Sequence, residues 1–180
     1  QIVTTCRAEL DSHANTCGVN DVAKILSYTG KIAHVSTYSP NLDTMKNIPI
    51  VQAALAYDDA ATGETYVLII NQALYFGNAL PHILLNPNQL RTNGVIVNDF
   101  PWLYCADPMN ELHAIVSEDE DGNKVVLPFQ LSGVISHLNV EPITSDELDH
   151  HAFPRVKLTH KDLTWDPSST IYEEQESVLV

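Results

Sequence analysis

The chain has 180 residues, of which 44% are apolar and 18% charged, enough to bury roughly 70% of the unfolded surface around one core. Against 23 acidic residues stand only 9 Lys and Arg, giving a net charge of −14. That balance opposes the phosphate backbone a nucleic-acid binder must neutralise, and excludes direct DNA or RNA binding as the main activity. The first element in chain order is the stretch AELDSHANTCGV (Ala8 to Val19), a short apolar run closing on Asp11, Ser12 and His13. Asp-Ser pairs form turns and helix caps through side-chain to backbone hydrogen bonds, and a carboxylate set beside a hydroxyl also serves catalysis; both readings stand at this point.

Further along, YVLIIN (Tyr66 to Asn71) is a β-branched run of the kind buried on both faces, and YDDAATGET before it reads as a hairpin loop. The stretch ALPHILLNPNQLRTNG carries Ile83, Leu84, Leu85 and Leu90, an Asn86-Pro87 start and a Gly94 stop, which predicts a short helix over Asn86 to Asn93. VIVNDFP returns to strand character until Pro101. LHAIV (Leu112 to Val116) and KVVLPFQL (Lys124 to Leu131) flank EDEDGN, whose Asp121-Gly122 is a hairpin signal. From Ser145 the chain is more polar, with a capped turn at Ser145 to Leu148 and an acidic EEQE near its end. No repeat or low-complexity linker interrupts it. The expected fold is mainly β with one short helix: a domain over residues 1–144 and a polar C-terminal extension over 145–180.

Cys6, Cys17 and Cys105 are odd in number, widely spaced and without a CxxC pair, a usage that fits a reducing compartment and predicts three free thiols. No run of about 18 apolar residues occurs, and QIVTTCRAEL lacks the basic start and apolar core of a signal peptide. An intracellular, cytoplasmic chain with no membrane contact is expected, Gln1 being read as a cut through a longer polypeptide.

Asp11 and Ser12 approximate the apolar-apolar-Asp-Thr/Ser-Gly pattern of aspartic proteases. Two carboxylates held about 3 Å apart cannot both ionise, so they share a proton, one acting as base on water and the other as acid on the scissile carbonyl. One such motif per chain demands a second copy. In order, AELDSHANTCGV, LPHILLNPNQLRTNGVIVNDFP, VLPFQLSGVISHLNVEPIT and KLTHKDLTWDPSSTIYEEQE closely resemble the retropepsin-like protease region of copia-type retrotransposon polyproteins. The resemblance covers nearly the whole chain; LLNPNQLRTNG and GVISHLNVEPIT are its most specific parts.

That resemblance implies a homodimeric β fold with one catalytic Asp per subunit, flaps closing over an extended peptide and a single short helix. It places the catalytic carboxylate on Asp11 and the supporting hydroxyl on Ser12, with His13 where the family has glycine. A side chain there fills space at the dyad, and an imidazole can hydrogen-bond a carboxylate and hold it ionised. Two segments qualify as the flap: the hairpin around Asp58 to Thr65, with Gly63 in its loop, and KIAHVSTYSPNLDTMKNIP.

Adjacent His150 and His151 diverge on a strand or a helix and so rarely share one ion, and SEDEDGN lacks the ligand order of a calcium loop. No metal and no cofactor is expected. The expected activity is an aspartic endopeptidase acting on a polyprotein, with a peptide substrate and a second copy as partners. The alternative is the same fold kept as a non-catalytic interaction or assembly module; a metal-dependent hydrolase built on His150 and His151 is a weaker rival.

Overall fold

The apolar runs pair off as strands in the computed structural model, which describes residues 6–36, 43–107 and 113–180. β1 (Cys6–Leu10), β2 (Gly18–Val19), β3 (Lys24–Val35), β4 (Met45–Asp58), β5 (Thr65–Tyr75) and β6 (Ile83–Leu85) precede the helix α1 (Pro87–Thr92). β7 (Ile96–Asp99), β8 (His113–Glu118), β9 (Lys124–Pro128), β10 (Gln130–Ser132) and β11 (Ile135–Val140) follow, then α2 (Ser145–Asp149), β12 (Arg155–Lys157) and α3 (Ile171–Leu179). A nine-stranded sheet runs β10-β11-β1-β6-β2-β5-β4-β3 with β12 also on β5, and a three-stranded sheet runs β7-β8-β9. The residues 1–5, 37–42 and Leu112 that the sequence reading included in its first run, its insertion and its LHAIV strand lie outside the described residues.

The run YVLIIN is continuous rather than alternating because both faces of β5 are covered. Leu68 and Ile70 pack with Leu55, Ile83 and Leu85 in the main core, while Val67 and Ile69 pack with Ala54, Ala56, Ile143 and Leu148 in a second cluster. The second cover comes from beyond residue 142. α2 begins at Thr144 with a reciprocal cap between Thr144 and Glu147 and places Leu148 on β5, and β12 pairs parallel with β5 from Arg155–Val67 to Lys157–Ile69. Val156 and Leu158 are fully buried. The first part of the segment expected as a polar extension, 145–158, thus joins the main sheet and core.

α1 falls where the Asn-Pro start and the Gly94 stop place it. Asn86 caps it by accepting from the Gln89 amide, Pro87 takes the first turn, and Gly94 carries the positive φ of 82° that ends it. The expectation of a single helix is corrected: the described residues hold three α-helices. α2 is the predicted capped turn extended by one residue, Asp149. The sequence reading places no helix at α3: IYEEQESVL is short and acidic, and none of its apolar residues Ile171, Tyr172, Val178 and Leu179 is buried. No helix is long and apolar enough to cross a membrane among the described residues.

Candidate active site

β6 lies between β1 and β2, parallel to the first with Leu10 opposite Leu85 and antiparallel to the second with Gly18 opposite Leu84. The chain leaving Leu10 therefore has to arch over the end of β6 to reach Gly18, and the arch is Asp11 to Cys17. The Asp11 amide donates to the Leu85 carbonyl at 3.0 Å. Asp11 is partly buried, whereas Ser12 and His13 are exposed. Oδ1 of Asp11 accepts the amides of His13 at 2.9 Å and Ala14 at 3.2 Å, so the carboxylate is turned back onto its own loop in the manner of an Asx turn. The turn reading and the catalytic reading of Asp11 are therefore compatible, since the turn fixes one oxygen and aims the group.

The arch is held from below by α1. The Asn86 side chain donates to the Ala14 carbonyl while capping the helix, the Gln89 side chain accepts from the Cys17 amide at 2.8 Å and donates to the Gln72 carbonyl at 3.1 Å, and the Asn86 amide donates to Cys17 Sγ at 3.3 Å. Gln89 has no exposed surface. Burial pushes the Cys17 thiol up to about 12, which leaves it a neutral packing group rather than a nucleophile. The arch is held from the side by the C-terminal segment: the Trp165 indole donates to the Asn15 carbonyl at 2.9 Å and to Thr16 Oγ1 at 3.2 Å. Gln72 ties that segment down, accepting from the Trp165 amide at 2.9 Å and donating to the carbonyls of His160 and Leu163. Gln72 is an extra residue in β5 with φ of 53°, a bulge that turns its side chain out of the strand pattern.

A cleft of about 1040 Å³ opens beside the arch, lined by Asp11, His13, Ala14, Asn15 and Thr16. Its apolar surface comes from Val35, Met45, Ile50, Leu74, Phe76 and Leu80, and the wall at one side from Lys161, Thr164, Trp165 and Pro167. The arm formed by β3 and β4 overhangs it. Between Tyr28 and Ile32 the register slips, Gly30 takes a φ of 81°, and Thr29 Oγ1 donates to the Ile50 carbonyl at 2.7 Å; the resulting bend brings Thr29 and Lys31 to the cleft. Gly18 lines the cleft, and a Cβ there would stand 3.1 Å from the Phe76 ring.

Of the two flap candidates, the arm contributes cleft residues on either side of 37–42, namely Val35, Ser36 and Met45. The Asp58 to Thr65 hairpin contributes none; it closes the opposite end of β4 and β5, eight residues from the cleft pair Ile50 and Leu74, roughly 25 Å along the strands. Asp11 and His13 line one cleft and Ser12 lies between them on the arch. Elsewhere the histidines part: His150 Nδ1 hydrogen-bonds the Asp146 carbonyl at 2.8 Å and His151 lies against Glu120. Among the described residues no group of three His, Cys, Asp or Glu is placed to hold a metal ion.

The residues that position the arch escaped sequence reading. Gln89 sits on the buried side of a six-residue helix, and its partners are 72 and 17 positions away, so nothing local marks it. Trp165 did leave a signal: a tryptophan in a polar stretch carries a large apolar body and one N–H that seeks a partner. No family model, no curated protein and no solved structure matches the chain.

Proposed function

We propose that the chain is a retropepsin-like aspartic endopeptidase, working as a homodimer with one Asp11 per subunit on extended segments of a retroelement polyprotein inside the cell. The observation that carries this reading is the placing of Asp11, half-buried on an arch over a strand end and lining a peptide-sized cleft beneath a two-stranded arm. Among the described residues that line the cleft Asp11 is the one carboxylate, and a dyad that shares a proton needs two. A second copy supplies the other. One Asp11 of the pair then takes a proton from water as the oxygen attacks the scissile carbonyl, while the other donates its proton to the carbonyl oxygen; on collapse the first gives its proton to the departing amine as the second takes one back from a diol hydroxyl, which leaves the acid product and restores the shared proton. The amides of His13 and Ala14 on Oδ1 hold the carboxylate plane and leave Oδ2 to face its counterpart.

The second reading, a non-catalytic module of the same fold, rests on His13. Its imidazole stands where the family pattern has glycine and lines the cleft beside Asp11. Yet His13 is not among the residues of positive φ, so the backbone at this position makes no demand for glycine. The test is cleavage of a peptide library at mildly acidic pH by the wild type, Asp11→Asn and His13→Gly. Wild-type cleavage is expected, lost in Asp11→Asn with circular dichroism unchanged, and kept or raised in His13→Gly. Cleavage surviving in Asp11→Asn would overturn the assignment, and a wild type that cuts nothing would favour the module.

A further inference from the structure

We propose that the Asp11 cleft selects peptide segments carrying acidic residues beside apolar ones, with Lys31 and Lys161 as the residues that set this preference. The inference rests on the peptide-cleft reading above and is independent of the cutting step. It starts from a contrast in charge. In a chain of net charge −14, Asp11 is the one acidic residue among the described residues that line the cleft, whereas two of the nine Lys and Arg and two of the eight histidines do so: Lys31, Lys161, His13 and His34. A cleft of the opposite sign to its protein is a local arrangement, brought about by specific backbone features.

Lys31 reaches the cleft because the β3 strand slips register there and Gly30 turns it. Lys161 reaches it because Gln72 and Trp165 hold the segment 160–165 against the arch. The acidic neighbours of that segment are directed elsewhere: Asp162 and Asp166 are not among the cleft residues, and Asp166 accepts from the Ser168 amide and hydroxyl. The same cleft carries apolar side chains, among them Val35, Ile50, Leu74, Phe76 and Trp165. Glutamate or aspartate flanking a leucine or an aromatic residue matches that combination of cations and apolar surface. The net negative charge of the molecule does not cancel the effect, since the Debye length of about 8 Å at physiological salt screens distant charges more than those in contact with the ligand.

The experiment measures binding to the Asp11→Asn protein, which removes turnover. Three fluorescein-labelled octapeptides share one apolar sequence and carry two Glu, two Gln or two Lys beside a central Leu-Phe. Anisotropy titration is expected to rank them Glu over Gln over Lys, with about tenfold between the first and the last from two ligand charges in part-exposed pairs. The double variant Lys31→Glu, Lys161→Glu, checked for unchanged circular dichroism and melting, should invert the order; Lys157→Glu, outside the cleft, should leave it as it was. Affinities within twofold of one another, an order unmoved by the double reversal, or no binding by any of the three would overturn the proposal. Charge-selective binding by a protein whose wild type cuts none of these peptides would overturn the endopeptidase reading alone, and cleavage without charge preference would overturn this inference alone.

Discussion

Gln89 shows how much one uncharged side chain can decide. Fully buried, it satisfies the Cys17 amide at one end of its carboxamide and the Gln72 carbonyl at the other. Gln89→Ala leaves the Cys17 amide buried without a partner and the part-buried Gln72 carbonyl without its donor, a cost of about 1–3 kcal/mol. Asn88→Ala, on the exposed side of the same helix, should cost less than about 0.5 kcal/mol. Urea unfolding of the two variants measures the difference, and an equal effect would mean that the Gln89 bonds carry no stability. Where Gln89→Ala still folds, cleavage should fall further than stability accounts for, because the Asp11 arch loses its lower tie. The Asp11 turn was legible in the sequence, since an acid and a hydroxyl after an apolar strand form a local pattern. Gln89 and Gln72 were not legible, because a buried amide is recognised only by partners that the fold delivers.

Among the elements, the legible ones carry their own punctuation. α1 has Asn86-Pro87 before it and Gly94 after it, and the hairpins β4–β5 and β8–β9 have Gly63 and Gly122 in their loops, both with positive φ. β12 has no such marks. Three residues, RVK, are a strand only because the edge of β5 at Val67 to Ile69 is open to them, and a polar composition concealed two of the most buried side chains of the chain. This predicts a sharp contrast between two truncations. A chain stopped after Thr144 uncovers that edge and removes Leu148, Val156 and Leu158, each worth about 1.5–3 kcal/mol of burial, and should fail to unfold cooperatively or should aggregate through the open strand. A chain stopped after Pro167 lacks only the exposed α3 and the contact of Tyr172 with Trp165 at 5.5 Å, and should stay within about 1 kcal/mol of the whole. Denaturation followed by fluorescence distinguishes the two, and cooperative unfolding of the shorter chain would show that the core closes without β12.

At the scale of the whole molecule, acid acts on the fold and on the proposed chemistry in opposite senses. His113, stacked near Phe129 and bonded to Ser136 Oγ at 2.8 Å, is held below the usual histidine range by burial, with Asp99 opposing. His137 is lowered by burial and by Arg7, with Glu9 opposing and His82 adding to the fall. A histidine whose folded pKa lies below its unfolded value of about 6.5 takes up its proton first in the unfolded chain. Stability is then complete above that pH and is lost as the pH drops from about 6.5 through the depressed folded values. The lowered carboxylates Asp119, Glu120 and Asp166 act further down, contributing above about pH 4 and failing beneath it. The urea midpoint should therefore decline between pH 7 and 5, and His113→Gln should flatten that decline; a midpoint constant over this range would contradict it. A dyad that works best in mild acid would do so on a loosening scaffold. Distance along the chain adds one more consequence, through the Trp165 indole, which latches onto Asn15 across 150 positions. At about 5–20 residues per second, the ribosome leaves the Asp11 arch without its latch for about 8–30 seconds after the arch is made. In that interval the nascent chain already displays its aspartate but not the finished wall around it, so the order of synthesis itself delays the moment at which the cleft is complete.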